Sequence, residues 1–219
     1  WFQKGLDRGA YFYGLGDYVD VASPSGRRKI READFYDSLA GDLEKAALER
    51  FEEIRDILLP AKGRFLFLLS GHHYYRWEDG RSTDTMLAEA LECPFLGTST
   101  IFDVKLAVEG VRRPAVCQIF AHHGTRSAKR TSLMLNWMET ELAPAWPTVD
   151  ILTVAHCHRA GGYQIERMRP QTSEGAIRGK HQIIACTGGW LKGYIPGNQR
   201  GGQPRGGYIE EALLAPTSI

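Results

Sequence analysis

The sequence predicts an α/β fold, with a mixed sheet or a two-sheet sandwich flanked by helices. Three observations lead there. Short apolar runs of strand length recur along the 219 residues and end in polar or turn-forming residues. Between the early runs, apolar residues return at three- and four-residue steps, the period of an amphipathic helix. In the C-terminal half strand-like runs crowd together, and no internal repeat is present.

Taken in order, residues 11–15 (YFYGL) read as a buried strand feeding the loop GDYVD. From Glu32 to Leu59 the positions Phe35, Leu39, Leu43, Ala47, Phe51, Ile54 and Leu58 define one long amphipathic helix, or two helices broken near Gly41. Pro60 and Gly63 stop it. Residues 64–70 (RFLFLLS) read as a second buried strand ending in GHH, and residues 82–91 as a short helix with an N-cap signal in Ser82 and Thr85. Two strands follow, 99–108 (STIFDVKLAV) and 114–121 (PAVCQIFA), joined by a turn at Gly110, the second ending in HHG. A helix from about Ser127 to Leu142 carries Leu133, Leu135, Trp137, Met138 and Leu142, and Pro144 closes it. Residues 150–158 (DILTVAHCH) form another apolar strand with histidines at its end. Further strands are expected near Tyr163–Met168, His181–Thr187 and Tyr208–Leu214, with the glycine-rich stretch 188–207 as a long flexible surface loop.

With 43% hydrophobic and 24% charged residues, the chain suits one globular domain over residues 1–219 with a real core. A formal charge of +1 supplies no global basic field that demands nucleic acid, and no acidic tail is present. The clusters Arg27-Arg28-Lys29 and Arg126 to Arg130 read first as solvated faces. Cys93, Cys117, Cys157 and Cys186 are widely spaced, two of them in strand-like runs, which suits reduced thiols in the cytoplasm better than a disulfide framework. No apolar stretch approaches the roughly 20 residues of a membrane span, and no secretory signal is visible. The chain opens at Trp1 in what reads as the end of a helix and stops at Ile219 after a strand-like segment, so both ends read as cut.

Chemistry concentrates at four strand ends: Asp17 with Asp20, His72 with His73, His122 with His123, and His156 with His158. Ligands in open α/β folds gather where the carboxyl ends of strands meet, so these clusters are expected to converge. Alone, a histidine at a strand end is more often a hydrogen-bonded structural residue, and an aspartate after glycine is usually a turn or cap. An H-x-H pair on one strand points both rings to one face, which favours metal. Six of the seven histidines fall in these pairs, and a structural reading needs four coincidences at once.

The segments GLGDYVD (14–20), LLSGHHYYR (68–76), FAHHGT (120–125) and VAHCH (154–158) resemble, in order and spacing, the G-D-x-x-D, G-N-H-[DE], H-G and G-H-x-H motifs of calcineurin-like metallophosphoesterases. The closing segment CTGGWLKGY…GYIEEALLAP is similar to bacterial and phage members of that group. The resemblance implies a four-layer α/β/β/α sandwich with a dinuclear metal centre that hydrolyses a phosphate mono- or diester through a metal-bound water or hydroxide. By motif position Asp17 would bridge two divalent ions, with His123 and His156 at one and His158 toward the other. His73 would be the general acid, with Asp20 orienting from behind. His72 stands where the family has Asn, which implies nitrogen-tolerant metals such as Mn²⁺, Fe²⁺ or Zn²⁺ or else a weakened activity. Ala155 replaces the glycine of the last motif. The family's first motif, D-x-H, is absent and is expected upstream of Trp1.

Arg76 and Arg126 are candidates for phosphate contact from their charge. The substrate is a phosphate ester of unread identity. Nucleic acid remains open as a partner despite the net charge, and a nuclease of the same fold is the alternative enzyme. A catalytically degenerate binding or assembly subunit is the alternative outside the enzyme class. A structural zinc protein fits less well, because such sites favour thiolates and Cys157 is the only cysteine near a cluster.

Overall fold

A computed structural model of the chain describes residues 2–21, 37–107, 109–125, 130–171 and 175–189. It is a mixed α/β structure in two compact units, Trp1–Thr98 and Ser99–Ile219.

The N-terminal unit opens with helix α1 (Phe2–Asp7) and strand β1 (Phe12–Gly14). Helix α2 (Asp37–Leu58) follows, and a short 3-10 turn over Leu59–Ala61 carries Pro60. Of the two readings of this segment the single helix holds, since α2 runs through Gly41; the one glycine costs a 22-residue helix only about 1 kcal/mol. The part of the predicted helix before Asp37 lies outside the described residues. Strand β2 (Phe65–Leu68) pairs in parallel with β1. Helix α3 (Thr83–Ala90) starts with a full capping box: the Ser82 hydroxyl accepts from Thr85 N, and Ser82 N donates to the Thr85 hydroxyl. Phe51, Leu68, Leu87, Ala88 and Leu91 form the core between α2, β2 and α3.

The C-terminal unit is built on a five-stranded mixed sheet: β3 (Ser99–Leu106), β4 (Ala115–His122), β5 (Ile151–Val154), β6 (Ala160–Gln171) and β7 (Ala176–Thr187), in the order β3-β4-β5-β7-β6. The three central strands are mutually parallel, and β3 and β6 border them antiparallel. The two last strands are longer than periodicity suggested, and together they make a twelve-pair ladder from Ala160↔Thr187 to Gln171↔Ala176.

Helix α4 (Thr131–Trp137) covers the sheet face that carries Phe120, Leu152 and Ile184, with Met134, Trp137 and Met138 in its core. Pro144 does not close this helix as expected. Met138–Leu142 widens into a π turn, in which Ala143 N donates to Met138 O, and a last helical turn spans Ala143–Ala145. The extra residue in the turn shifts the carbonyl that a proline ring would otherwise strike. Residues 126–129, Tyr208–Leu214 and the glycine-rich loop from residue 190 onward lie outside the described residues. Among the described residues no helix is long and apolar enough to cross a membrane.

Candidate functional site

Because β1 and β2 are parallel, the chain leaves both at the same edge of the N-terminal unit. Asp17 stands in the loop after β1 with φ of 57°, a conformation non-glycine residues seldom adopt. Its Oδ1 accepts from two consecutive amides of the loop after β2, His72 N at 2.5 Å and His73 N at 2.9 Å. Only glycine allows this approach at residue 71, since a Cβ there would lie 2.1 Å from both N and Oδ1 of Asp17. Gly71 N in turn donates to Asp84 Oδ2 at 3.1 Å, and Asp84 is 1% exposed in the first turn of α3. The Tyr18 hydroxyl completes the clamp: it donates to Leu69 O at 2.9 Å and lies 3.1 Å from Leu69 N, which donates back to it. Burial first, then the Asp84 carboxylate, push that hydroxyl well above its ordinary range, so it stays protonated.

Locked in this way, the second loop presents His73 to Asp20. His73 Nδ1 and Asp20 Oδ1 lie 2.7 Å apart, with the imidazole about one-third exposed at 35%. With a carboxylate as acceptor, Nδ1 carries a proton and Nε2 is the nitrogen turned to the surroundings. His72 is half-buried on the same loop. Arg76 is exposed, with its guanidinium 5.9 Å above the Tyr74 ring. The structure thus brings Asp17, Asp20, His72 and His73 onto one pair of adjoining loops.

In the C-terminal unit His122, Val154 and Cys186 share one register across β4, β5 and β7. The residues that follow them gather at one sheet edge, as at the carboxyl ends of parallel strands in general. His123 is 2% exposed there, and its ring centre lies 5.4 Å from that of His156 at an interplanar angle of 62°. Two imidazoles on one cation, each with its nitrogen about 2.1 Å from the ion, have ring centres about 5.3 Å apart at the tetrahedral angle. The pair therefore fits a shared metal. Gly124, with φ of 105°, makes the approach possible, since a Cβ there would lie 2.8 Å from His156 Cβ.

The H-x-H pair is not on the strand, as the sequence suggested. Strand β5 ends at Val154, and His156 takes φ of 60° inside a three-residue turn closed by Cys157 N donating to Ala155 O at 2.6 Å. This γ-turn is a strained conformation, and it replaces strand alternation as the device that aims His156. Cys157, between the two histidines in sequence, is 3% exposed in the core beside Cys186. A hydrogen bond between these two thiols holds Cys157 below the ordinary thiol range and pushes Cys186 above it. His158 is half-buried, and a Cβ on Gly189 would lie 3.5 Å from it.

His122 and His123 have different surroundings. His122 Nδ1 accepts from Gly124 N at 2.6 Å, and its ring lies 6.0 Å from Phe120 and 6.4 Å from Trp137, on the helix-covered face. His123 faces His156 instead. Arg126 lies outside the described residues. Sequence reasoning missed Tyr18, Gly71 and Asp84 as parts that hold the loops. The acid in the first turn of a capped helix (Ser82, Asp84) was a signal for a helix start but not for what the acid binds. No family model matches the chain, and no curated protein is significantly similar to it.

Proposed function

We propose that this chain is a metal-dependent phosphoesterase that hydrolyses a phosphate mono- or diester at a dinuclear centre, on the four-layer α/β/β/α scaffold that its motifs imply. One observation carries the reading. In each unit, loops leaving adjacent parallel strands bear the acid and imidazoles of the four motifs, and one glycine with no room for a Cβ lets the two loops of the pair approach.

Asp17 and His72 from the first pair of loops, and His123, His156 and His158 from the second, are the side chains that would hold the ions. This nitrogen-rich set favours Mn²⁺, Fe²⁺ or Zn²⁺ over Mg²⁺ or Ca²⁺. Divalent cations bound there supply Lewis-acid polarisation of the phosphoryl group. His73 gives its Nε2 proton to the departing alkoxide, while Asp20 on Nδ1 orients the ring. Arg76 contributes a charge-assisted contact to the phosphate. A cytoplasmic setting accords with four cysteines that are all free thiols.

The test is hydrolysis of bis(p-nitrophenyl) phosphate and p-nitrophenyl phosphate with added Mn²⁺, beside His73→Ala. Turnover that requires metal and collapses on substitution supports the reading, and the preferred ester separates diesterase from monoesterase. Folded protein that binds fewer than two ions and turns over neither ester would instead identify a degenerate binding subunit.

A further inference from the structure

The loop that carries His73 continues into Tyr74, Tyr75, Arg76 and Trp77, an aromatic and cationic run of which the proposed chemistry uses only Arg76. Three backbone bonds make the run a hairpin: Trp77 N to Arg81 O at 2.9 Å, Gly80 N to Trp77 O at 3.1 Å and Thr83 N to Tyr75 O at 3.1 Å. Arg76 and Ser82 are bridged across it. Alternation along an extended segment puts Tyr75 and Trp77 on one side and Tyr74 and Arg76 on the other.

The first pair has a structural explanation. Tyr75 and Trp77 meet edge to face at 5.0 Å, and the Tyr75 hydroxyl is hydrogen-bonded to Glu44 of α2. Arg81 is likewise accounted for, since its Nε lies 2.7 Å from Asp79 Oδ2. Arg76 differs. It is exposed, its guanidinium lies over the Tyr74 ring at 5.9 Å, and among the described residues it forms no ion pair. Consecutive Cα atoms are about 3.8 Å apart, so Tyr74 and Arg76 both start within roughly 11 Å of His73 along the chain. An arginine without a carboxylate beside an aromatic ring is suited to a ligand that is both anionic and ring-bearing.

We infer that Tyr74 and Arg76 form a substrate subsite for a nucleotide-class phosphoester, whose base stacks on Tyr74 while Arg76 pairs with its phosphate. The inference rests on the phosphoesterase reading, and it adds the substrate class that the reading leaves open.

Two chromogenic diesters with the same leaving group test it: the p-nitrophenyl ester of thymidine 5′-phosphate and methyl p-nitrophenyl phosphate, assayed with Mn²⁺. Wild-type protein should favour the nucleoside ester in kcat/KM. Tyr74→Leu should lower the nucleoside-to-methyl ratio about fivefold or more, the loss of one base stacked on one aromatic ring. Tyr74→Phe, which keeps the ring, should retain the ratio, and Arg76→Gln should lower kcat/KM for both esters because both carry the phosphate. Circular dichroism of each variant confirms folding. If both esters turn over equally well and Tyr74→Leu leaves the ratio in place, the subsite is refuted while the phosphoesterase reading stands. If neither ester turns over with any divalent metal, that reading fails, and equilibrium dialysis with thymidine 5′-monophosphate decides the subsite. Binding lost in Tyr74→Leu upholds the subsite without catalysis, and absence of binding overturns it.

Discussion

Alanine at position 71 adds one methyl group where two loops touch. Its Cβ would sit 2.1 Å from both N and Oδ1 of Asp17. Carbon and its neighbours rest about 3.5 Å apart, so the loops must separate by about 1.4 Å. The bonds from His72 N and His73 N, now 2.5 and 2.9 Å, then lengthen to roughly 4 Å, past hydrogen-bonding range. Each bond to a carboxylate is worth about 1.5–3 kcal/mol. Both loops are only half-buried, so water recovers part of the loss, and about 3 kcal/mol is the expected destabilisation. Urea unfolding reads this directly: with a slope of about 2 kcal/mol per molar, the midpoint of Gly71→Ala falls by about 1.5 M. Gly41→Ala is the control. It lies inside α2 with nothing within 4 Å of its Cβ, and it should raise stability by about 0.4–1 kcal/mol. Metal content, measured by plasma emission, should fall in Gly71→Ala and hold in Gly41→Ala. A Gly71→Ala midpoint close to that of the wild type would show that the Asp17 clamp does not hold these loops.

His73→Ala should lower ester turnover by about 10²–10⁴, the usual contribution of a positioned general acid, and Asp20→Asn should lower it less because the ring keeps a hydrogen-bond partner; steady-state kinetics checks both. His123→Ala should lose bound metal whereas His122→Ala should keep it, since His122 is tied to Gly124 N and the core; equilibrium dialysis against Mn²⁺ separates them, and equal loss would reverse the assignment. Tyr163 provides a pH prediction: its hydrogen bond to Glu139 first, then burial and the charge of that carboxylate, push the hydroxyl from 10.0 up to about 12. A folded-state value above the unfolded one stabilises fully below pH 10 and is lost as pH rises through about 12. The stability difference between wild type and Tyr163→Phe, followed by urea midpoints, should therefore shrink over that window. It should be small throughout because Tyr163 is 41% exposed.

Much of the architecture was legible along the chain. Apolar runs at 11–15, 64–70, 114–121 and 150–158 became β1, β2, β4 and β5, because a buried strand needs an apolar stretch and little else. The N-cap signal in Ser82 and Thr85 marked the start of α3. Signals failed where one element answered to a neighbour. Gly41 left one helix or two open along the sequence, and α2 passes through it because contacts at Ala47, Phe51, Ile54 and Leu58 outweigh one residue's propensity. Pro144 reads as a stop, yet a π turn carries the helix past it. Tyr163 beside Glu139 and Arg167 donating to Glu139 O tie that turn to β6.

The sequence alone determined which chemistry gathers at strand ends, since Asp17, His72, His73, His123, His156 and His158 each follow an apolar run and carry metal-ligand atoms. Tertiary structure decided how those side chains are aimed. It gave the Asp17 Oδ1 to two backbone amides, set His73 against Asp20, turned His122 toward the core and His123 toward His156, and folded His156 into a γ-turn. The physical reason lies in range. A strand or helix is selected by burial along one local segment, whereas Asp17 and His72 are 55 positions apart and meet only because two parallel strands end at one edge beside a glycine.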